Sequence, residues 1–351
     1  MLFFRNQDEG PESDVCFFPP PDTRPYEQVL IHCDVSARRL WSLYRLCAST
    51  RPLITVTCSR ALQQRVLPPE ILIDACCDIA VGDMLDRDAL LRTLIACGYT
   101  RVNLAEDRGD ISVRGEILDV FPPGYACPVR IDLFGDTVES MRLFDPRTQR
   151  SHTDLACVHI TPVRELILSP EVQAGLSERV AENPQAFEGS RRQAFVENLH
   201  SGFLPAGSDY CLSLVYAHTA SLPDYLSSDT LAIWCDPDES ARQIAALEQD
   251  VLSGFKATCE ERRAASEPTE MFLPFTDPVD AQICRQTLFF ESWTARRTLP
   301  QVLFSTQAND DIRQELLAVV NLDAAGAGLT DASGALTCSP EPLPYGVPEA
   351  E

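Results

Sequence analysis

The residues best suited to chemistry in this sequence are two arginines and a phenylalanine within residues 110–150. Arg130 and Phe134 occupy alternate positions of the run VRIDLF, and Arg114 stands out of phase with the apolar residues before it. Side chains alternate between the two faces of a strand, so all three are predicted to point away from the apolar side. An outward aromatic ring flanked by arginines is typical of a protein-binding hot spot, whose members can each contribute about 2 kcal/mol or more.

Two strands joined by a tight turn are needed to position these side chains. Gly135 and Asp136 predict a two-residue hairpin turn. That turn sets four pairs opposite each other: Phe134 and Thr137, Leu133 and Val138, Asp132 and Glu139, Arg130 and Met141. We therefore expect Met141 on the outer face of the hairpin, together with Arg130 and Phe134.

The strand that carries Arg114 is predicted to be irregular. Apolar residues alternate with polar ones up to Val113, and the alternation resumes one position out of phase after Gly115. A glycine at such a change of phase predicts a β-bulge. The sequence FPPG at residues 121–124 then ends the strand and turns the chain.

A structural role for the same three residues is also consistent with the sequence. Phe134 would then pack under a neighbouring loop, and Arg114 and Arg130 would only solvate the sheet. Single exposed apolar residues are common on protein surfaces. The alternation alone therefore leaves the binding role and the structural role open.

The sequence contains none of the common catalytic motifs. A nucleotide-binding P-loop needs a lysine in the frame G-x-x-x-x-G-K-[ST], and the one lysine, Lys256, lies in SGFKAT. The motifs H-E-x-x-H and G-x-S-x-G are absent as well. For Asp132 and Glu139, a solvated cross-strand pair is favoured over an acid–base couple. We therefore expect no enzyme activity, no ATP hydrolysis and no cofactor.

Fourteen cysteines and five histidines raise the question of a metal site or disulfides. The cysteines are scattered, with residues 76–77 as the one close pair and no C-x-x-C, and the histidines lack ligand spacing. Several cysteines lie in apolar strands or helices, among them Cys58, Cys97, Cys157 and Cys235. We expect these thiols to be small buried hydrophobic groups in a reducing compartment, and we expect no metal.

The composition is that of an acidic globular protein. Its 351 residues are 45% hydrophobic, which is enough for two or three domains, and its net charge is −23. No segment is net basic, so duplex DNA is expected to bind at about 10⁻⁴ M or more weakly. No apolar run reaches about 18 residues and the start, MLFFRNQDEGPE, does not resemble a signal peptide. We expect a cytoplasmic location without membrane contact.

Strands and helices alternate on both sides of the β-rich stretch and predict an α/β layer. A strand at residues 15–18 precedes a helix for which Ser36 is the expected N-cap, and Asp86 is expected to cap another helix. Residues 321–351 are rich in Ala, Gly, Ser, Pro and Glu with few apolar residues, so a disordered tail is expected there.

Three stretches resemble the UvrB-homology region of the bacterial transcription-repair coupling factor family, and above all its UvrA-interacting domain: ACGYTRV, VRGEILDVFPPG and PVRIDLFGDTVESMRLFDPRTQRS. The resemblance covers about residues 15–320. It implies an α/β fold with an inserted small β-rich (α+β) domain, in the order UvrB-like domains 1a, 2 and 1b. The corresponding ranges are 1–97, 98–167 and 168–320.

The resemblance also implies a partner, the damage-recognition protein UvrA. Docking onto UvrA would recruit nucleotide excision repair to stalled transcription. The family's UvrA-contacting residues, two arginines and a phenylalanine, match Arg114, Arg130 and Phe134. Full-length members also engage RNA polymerase and duplex DNA through domains that the resemblance does not reach. We expect Arg130→Ala to weaken UvrA binding while barely changing the fold.

The resemblance does not extend to the family's ATP-driven DNA translocase motor. The chain is therefore expected to be a fragment, through natural truncation, a split gene or a misplaced start. Two alternatives to a UvrA-docking module stay open. The chain could be one piece of a split ATP-dependent translocase whose motor is a separate polypeptide, or a degenerate remnant without function.

Overall fold

The computed structural model of the protein describes residues 14–170, 172–173, 178, 190–201, 206–261, 263, 265–276, 286–290 and 302–304. The chain divides into two compact units. One comprises Met1–Leu226 with Ile244–Phe275, and the other comprises Ser227–Gln243 with Thr276–Glu351. The tail expected at residues 321–351 lies outside the described residues.

Helices and strands alternate up to residue 101, and a run of strands without helices follows from residue 110 to residue 160. The helices are α1 (Cys33–Ala48), α2 (Ser59–Gln63), α3 (Pro69–Ala75), α4 (Arg87–Ala96), α5 (Ser190–His200), α6 (Leu212–Val215), α7 (Pro237–Glu260) and α8 (Pro268–Met271). The strands are β1 (Val15–Phe17), β2 (Ile54–Val56), β3 (Cys77–Ala80), β4 (Thr100–Arg101), β5 (Asp110–Arg114), β6 (Ile117–Val120), β7 (Val129–Phe134), β8 (Thr137–Phe144), β9 (Ser151–Leu155), β10 (Cys157–Ile160), β11 (Leu231–Cys235), β12 (Gln286–Phe290) and β13 (Val302–Phe304).

Strands β1 and β2 pair in parallel and are connected through α1. The helix buries Ala37, Leu40 and Leu43, which lie at helical spacing. Its N-cap is His32, whose ring nitrogen accepts a hydrogen bond from the backbone N–H of Asp34 at 3.3 Å. The expectation that Ser36 caps this helix is therefore wrong, because the helix begins three residues before Ser36.

Helix α4 begins where the sequence predicts. The Asp86 carboxylate accepts a hydrogen bond from Ala89 N at 2.9 Å, which satisfies a donor that the first turn leaves unpaired. Leu90 and Leu94 form the buried side of the helix. Gly98, with a φ of 94°, follows the last turn and redirects the chain towards β4.

Six strands form the sheet that carries the predicted site, in the order β4-β5-β6-β7-β8-β9. All neighbours pair antiparallel except β4 and β5, which are parallel. The inner face of the sheet is formed by buried apolar residues: Ile111, Leu118, Val120, Val129, Ile131, Val138 and Met141. The FPPG turn after β6 brings Gly124 against Trp41 of α1, where a Cβ atom would lie 2.5 Å from ring carbons.

The register of this sheet differs from the prediction at two places. Gly115, with a φ of 62°, does not form a bulge within one strand but is the first residue of a two-residue turn between β5 and β6. In the next hairpin the register shifts between Asp132 and Leu133, so that Asp132 pairs with Ser140. Glu139 is the extra residue of this bulge.

The bulge overturns two of the four predicted pairings. Phe134 pairs with Thr137 and Leu133 with Val138, as expected. Arg130 instead pairs with Arg142, and Met141 pairs with Ile131. Met141 is therefore buried in the core, and its expected place on the outer face is wrong.

Strands β3 and β10 form a separate antiparallel pair, and β11, β12 and β13 form a three-stranded sheet in the second unit. The α/β fold with a β-rich part is thus confirmed, while the expected domain limits at residues 97 and 167 stay predictions. In the part of the chain that the structure describes, every helix is too short or too polar to cross a bilayer.

Candidate protein-docking surface

The side of the six-stranded sheet opposite the apolar core is called the outer face here. Its side chains are Arg114, Ile117, Asp119, Arg130, Asp132, Phe134, Ser140 and Arg142. The cross-strand pairs that define it include Asp119 with Arg130 and Asp132 with Ser140. Paired residues of antiparallel strands point to the same side, so the register brings these groups together.

Asp119 is the centre of the outer face. Its side chain has 0% exposure and accepts hydrogen bonds from both predicted arginines. Arg114 Nη2 lies 2.5 Å from Oδ2, while Arg130 binds with Nε 2.7 Å from Oδ1 and Nη2 2.9 Å from Oδ2. The Arg130 contact is the bidentate arrangement that fits a planar guanidinium to a carboxylate. It raises the pKa of Arg130.

Arg130 is also held from two further sides. Its guanidinium carbon lies 4.4 Å from the centre of the buried Phe144 ring. Two of its nitrogens donate to Gln149, one to the backbone oxygen at 3.3 Å and one to the side-chain oxygen at 3.2 Å. The side chain consequently has 14% exposure, whereas that of Arg114 has 43%.

The turn after β8 presents Gln149 to Arg130. Gln149 adopts a φ of 59°, and its backbone N–H donates to Asp145 O at 2.8 Å. The Asp145 carboxylate accepts from the backbone N–H groups of Thr148 and Arg147, at 2.7 and 2.9 Å. These bonds, that of Thr148 first, lower the pKa of Asp145 and keep it charged. The turn is thus fixed by its own residues.

A second ion pair lies beside the first. Arg142 Nη2 binds Asp132 Oδ2, and Ser140 Oγ donates to the same oxygen at 2.9 Å. Ser140 is therefore the cross-strand partner of Asp132 in place of the predicted Glu139, because of the bulge, and the ion-pair partner of Asp132 is Arg142. A shallow depression runs past these groups, lined in part by Glu116, Ile117 and Leu133.

Phe134 ends β7 at the hairpin turn and is 75% exposed. Gly135, with a φ of 60°, is the first turn residue and allows the chain to reverse immediately after the ring. The alternative in which Phe134 packs under a loop is therefore wrong. The exposed ring lies two positions along β7 from Asp132, on the same face as the arginines.

The outer face consists largely of ion pairs beside one exposed aromatic ring. Its groups are mainly guanidinium ions already paired with carboxylates and an exposed aromatic ring. The Ser140 hydroxyl donates to Asp132, a carboxylate that is already paired with Arg142. In the described part of the chain no group of three or more His, Cys, Asp or Glu side chains could hold a metal ion. Burial raises the pKa of Cys76 and of Cys97 to about 12, which keeps both thiols protonated.

The cysteines only partly fulfil the expectation that they are buried. Cys97 is buried, but Cys58, Cys157 and Cys235 are exposed. Cys157 and Cys235 belong to strands with one face towards solvent. In such strands the sequence pattern alone does not show whether a given residue points to the core or to solvent. All the cysteines in the described residues are free thiols.

Asp119 is the important residue that the sequence reasoning did not select. It stands in the otherwise apolar strand sequence ILDV, and a carboxylate in such a strand needs a cationic partner when it is buried. The sequence therefore indicates that Asp119 has a cationic partner. It does not identify that partner, because the register that sets Asp119 opposite Arg130 is seen only in the structure.

Residues 77–166 match the family described as the UvrB interaction domain. This range runs from the first residue of β3 to just past β10, so it contains the whole six-stranded sheet. All residues of the outer face lie inside it.

The chain is similar to transcription-repair-coupling factors over most of its own length. It is 32% identical over 311 residues to that of Myxococcus xanthus, a match that covers 86% of this chain and 26% of the relative. The protein of Haemophilus influenzae is 29% identical over 315 residues, with 88% and 26% covered. That of Escherichia coli is 30% identical over 238 residues, with 67% and 20% covered.

The chain thus spans about a quarter of the length of the first two relatives. This chain is therefore similar to a part of the transcription-repair-coupling factors, and its residues 77–166 match the UvrB interaction domain.

Proposed function

We propose that this chain is a UvrA-docking module and that the outer face of its six-stranded sheet binds UvrA. The observation that carries the proposal is the placement of Arg114 and Arg130 on one buried carboxylate, Asp119, beside a 75% exposed Phe134. The three side chains are those that the resemblance to the coupling-factor family assigns to UvrA contact.

The arrangement is physically suited to docking. Arg114 and Arg130 are already held in place by Asp119, so little side-chain freedom is lost when a partner binds. Phe134 offers a large apolar surface, and aromatic and arginine side chains are enriched among the residues that dominate binding energy. An acidic partner surface with an apolar pocket would complement these groups.

Within the cell, docking would recruit nucleotide excision repair to stalled transcription. We propose a cytoplasmic location, since the proposed partner acts on bacterial DNA. RNA polymerase and duplex DNA are proposed partners of the rest of a coupling factor rather than of the outer face. Because the one lysine, Lys256, does not lie in a P-loop, we propose that this chain contributes no ATP hydrolysis of its own.

The proposal is tested by titrating the whole chain into UvrA in a calorimeter. Phe134→Ala should weaken binding about thirtyfold, which corresponds to about 2 kcal/mol, because it removes the exposed ring. Its thermal unfolding should match that of the parent, since the ring packs little against the chain.

A matched control is Leu252→Ala, which removes another exposed apolar side chain, 55% exposed, from α7. It should bind UvrA like the parent. Absence of binding by the parent chain, or equal loss in the Phe134 and Leu252 variants, would contradict a docking role of the outer face.

A further inference from the structure

A short segment of residues 82–85 lies along β8 next to the hairpin turn. Three backbone hydrogen bonds fix it there: Gly82 N to Val138 O at 2.9 Å, Val138 N to Asp83 O at 2.9 Å, and Leu85 N to Asp136 O at 2.7 Å. Both neighbours of Met84 in the chain therefore take part in this pairing. The backbone of Met84 is held in one position.

Met84, Thr137 and Phe134 form one row across this part of the sheet. Thr137 is the partner of Phe134 within the hairpin and of Met84 across an isolated antiparallel bridge. Directly paired antiparallel residues point to the same side. In agreement, Thr137 Oγ1 donates to the Met84 sulfur at 3.4 Å. The row therefore extends the outer face across β8, at the end of the sheet where the hairpin turn lies.

The two ends of this row are apolar and exposed. Met84 and Phe134 are each 75% exposed, and no large apolar side chain in the described residues is more so. Met141 and Met271, in contrast, are buried in the core. The exposed side chain of Met84 contributes little to the stability of the fold, because apolar surface stabilises a folded chain only when it is buried away from water.

We propose that Met84 is a second apolar contact residue for the partner of the outer face, on the opposite side of Thr137 from Phe134. This inference rests on the proposed UvrA-docking function. It adds that the complementary surface of UvrA is an apolar groove long enough to take both side chains, with acidic groups facing Arg114. Methionine suits the role because its flexible thioether adapts to the shape of a partner, and it is enriched at protein interfaces.

Calorimetric titration of the whole chain with UvrA tests the inference. Met84→Gln keeps the length of the side chain but makes its end polar, and it should weaken binding about tenfold, or about 1.4 kcal/mol. Met84→Leu keeps an apolar side chain and should bind within about twofold of the parent. Leu252→Gln, the same change of polarity on α7, should have no effect.

Oxidation supplies a second readout. Hydrogen peroxide transfers one oxygen atom to the thioether sulfur, giving methionine sulfoxide and water. In the free chain Met84 should react quickly, while Met141 and Met271 serve as buried internal references. Saturating UvrA should slow oxidation of Met84 at least fivefold, as measured by mass spectrometry of peptides, and should leave the references unchanged.

The outcomes separate this inference from the function on which it rests. If Phe134→Ala weakens binding while Met84→Gln binds normally and Met84 stays reactive in the complex, the docking function stands and the role of Met84 is overturned. If the parent chain does not bind UvrA, both fall. Loss of binding in Met84→Gln, with binding kept in Met84→Leu and protection from peroxide, supports the inference.

Discussion

At the level of single residues, Asp119 determines which roles Arg114 and Arg130 can have. A carboxylate without solvent contact needs its partners, and Arg130 supplies two of the hydrogen bonds while Arg114 supplies one. Arg130 is largely covered by Phe144 and Gln149, whereas Arg114 keeps more of its surface in solvent. Arg130 is therefore best understood as the residue that positions the site, and Arg114 and Phe134 as those with most surface to offer a partner.

The different roles of Arg130 and Arg114 change the effect that Arg130→Ala is expected to have on stability and binding. The sequence alone suggested a variant with weakened binding and an unchanged fold. In the structure, removing Arg130 leaves the buried Asp119 with one remaining cation and uncovers the Phe144 ring. Breaking a buried ion pair in this way costs about 3 kcal/mol of unfolding free energy. Urea unfolding of the whole chain measures this loss.

Arg92→Ala on the exposed side of α4 is the matched control for Arg130→Ala. It should change the unfolding free energy by no more than about 0.5 kcal/mol. If Arg130→Ala unfolds at the same urea concentration as Arg92→Ala, Arg130 does not support the fold and its role is confined to contact with a partner.

At the level of elements, the sequence predicts regular alternation well and single-residue irregularities poorly. The pattern of β7 and the cap of α4 at Asp86 are both found where alternation and capping chemistry predict them. The bulge at Glu139 has no such signal, because one extra residue in a strand leaves the composition unchanged. The cap of α1 shows a related limit, since both His32 and Ser36 have side chains that can accept the hydrogen bond, and the structure places the cap at His32.

The bulge has a direct test in Met141→Ala. In the bulged register Met141 faces the core beside Ile131, so truncation should cost about 2 to 5 kcal/mol of unfolding free energy. Without the bulge the same side chain would face solvent. Met84→Ala is a control of the same residue type and should cost no more than about 0.5 kcal/mol. Equal unfolding free energies for the two variants would rule out the bulged register.

At the level of the whole molecule, acidity links stability to pH. The net charge of −23 opposes compaction through self-repulsion, and lowering the pH towards 5 relieves part of it. One half-buried carboxylate, Asp209, adds a specific contribution. Its burial raises the pKa to about 6, with the charge of Glu165 acting in the same direction and the hydrogen bond from Ile31 N, at 3.0 Å, acting against it.

Because its pKa is raised in the folded chain, Asp209 stabilises the folded chain more at low pH than at high pH. Between about pH 4 and pH 6 the folded chain holds a proton that the unfolded chain has released, so this stabilisation is lost as the pH rises through 6. From pH 5 to pH 8 the loss amounts to about 1 kcal/mol of unfolding free energy.

Asp209→Asn should remove this pH-dependent loss of stability, because an amide does not titrate and its oxygen can still accept from Ile31 N. Urea unfolding at the two pH values measures the difference, with the exposed Asp250→Asn as control. Should Asp209→Asn and Asp250→Asn show the same pH dependence, the self-repulsion of the acidic chain alone would account for it.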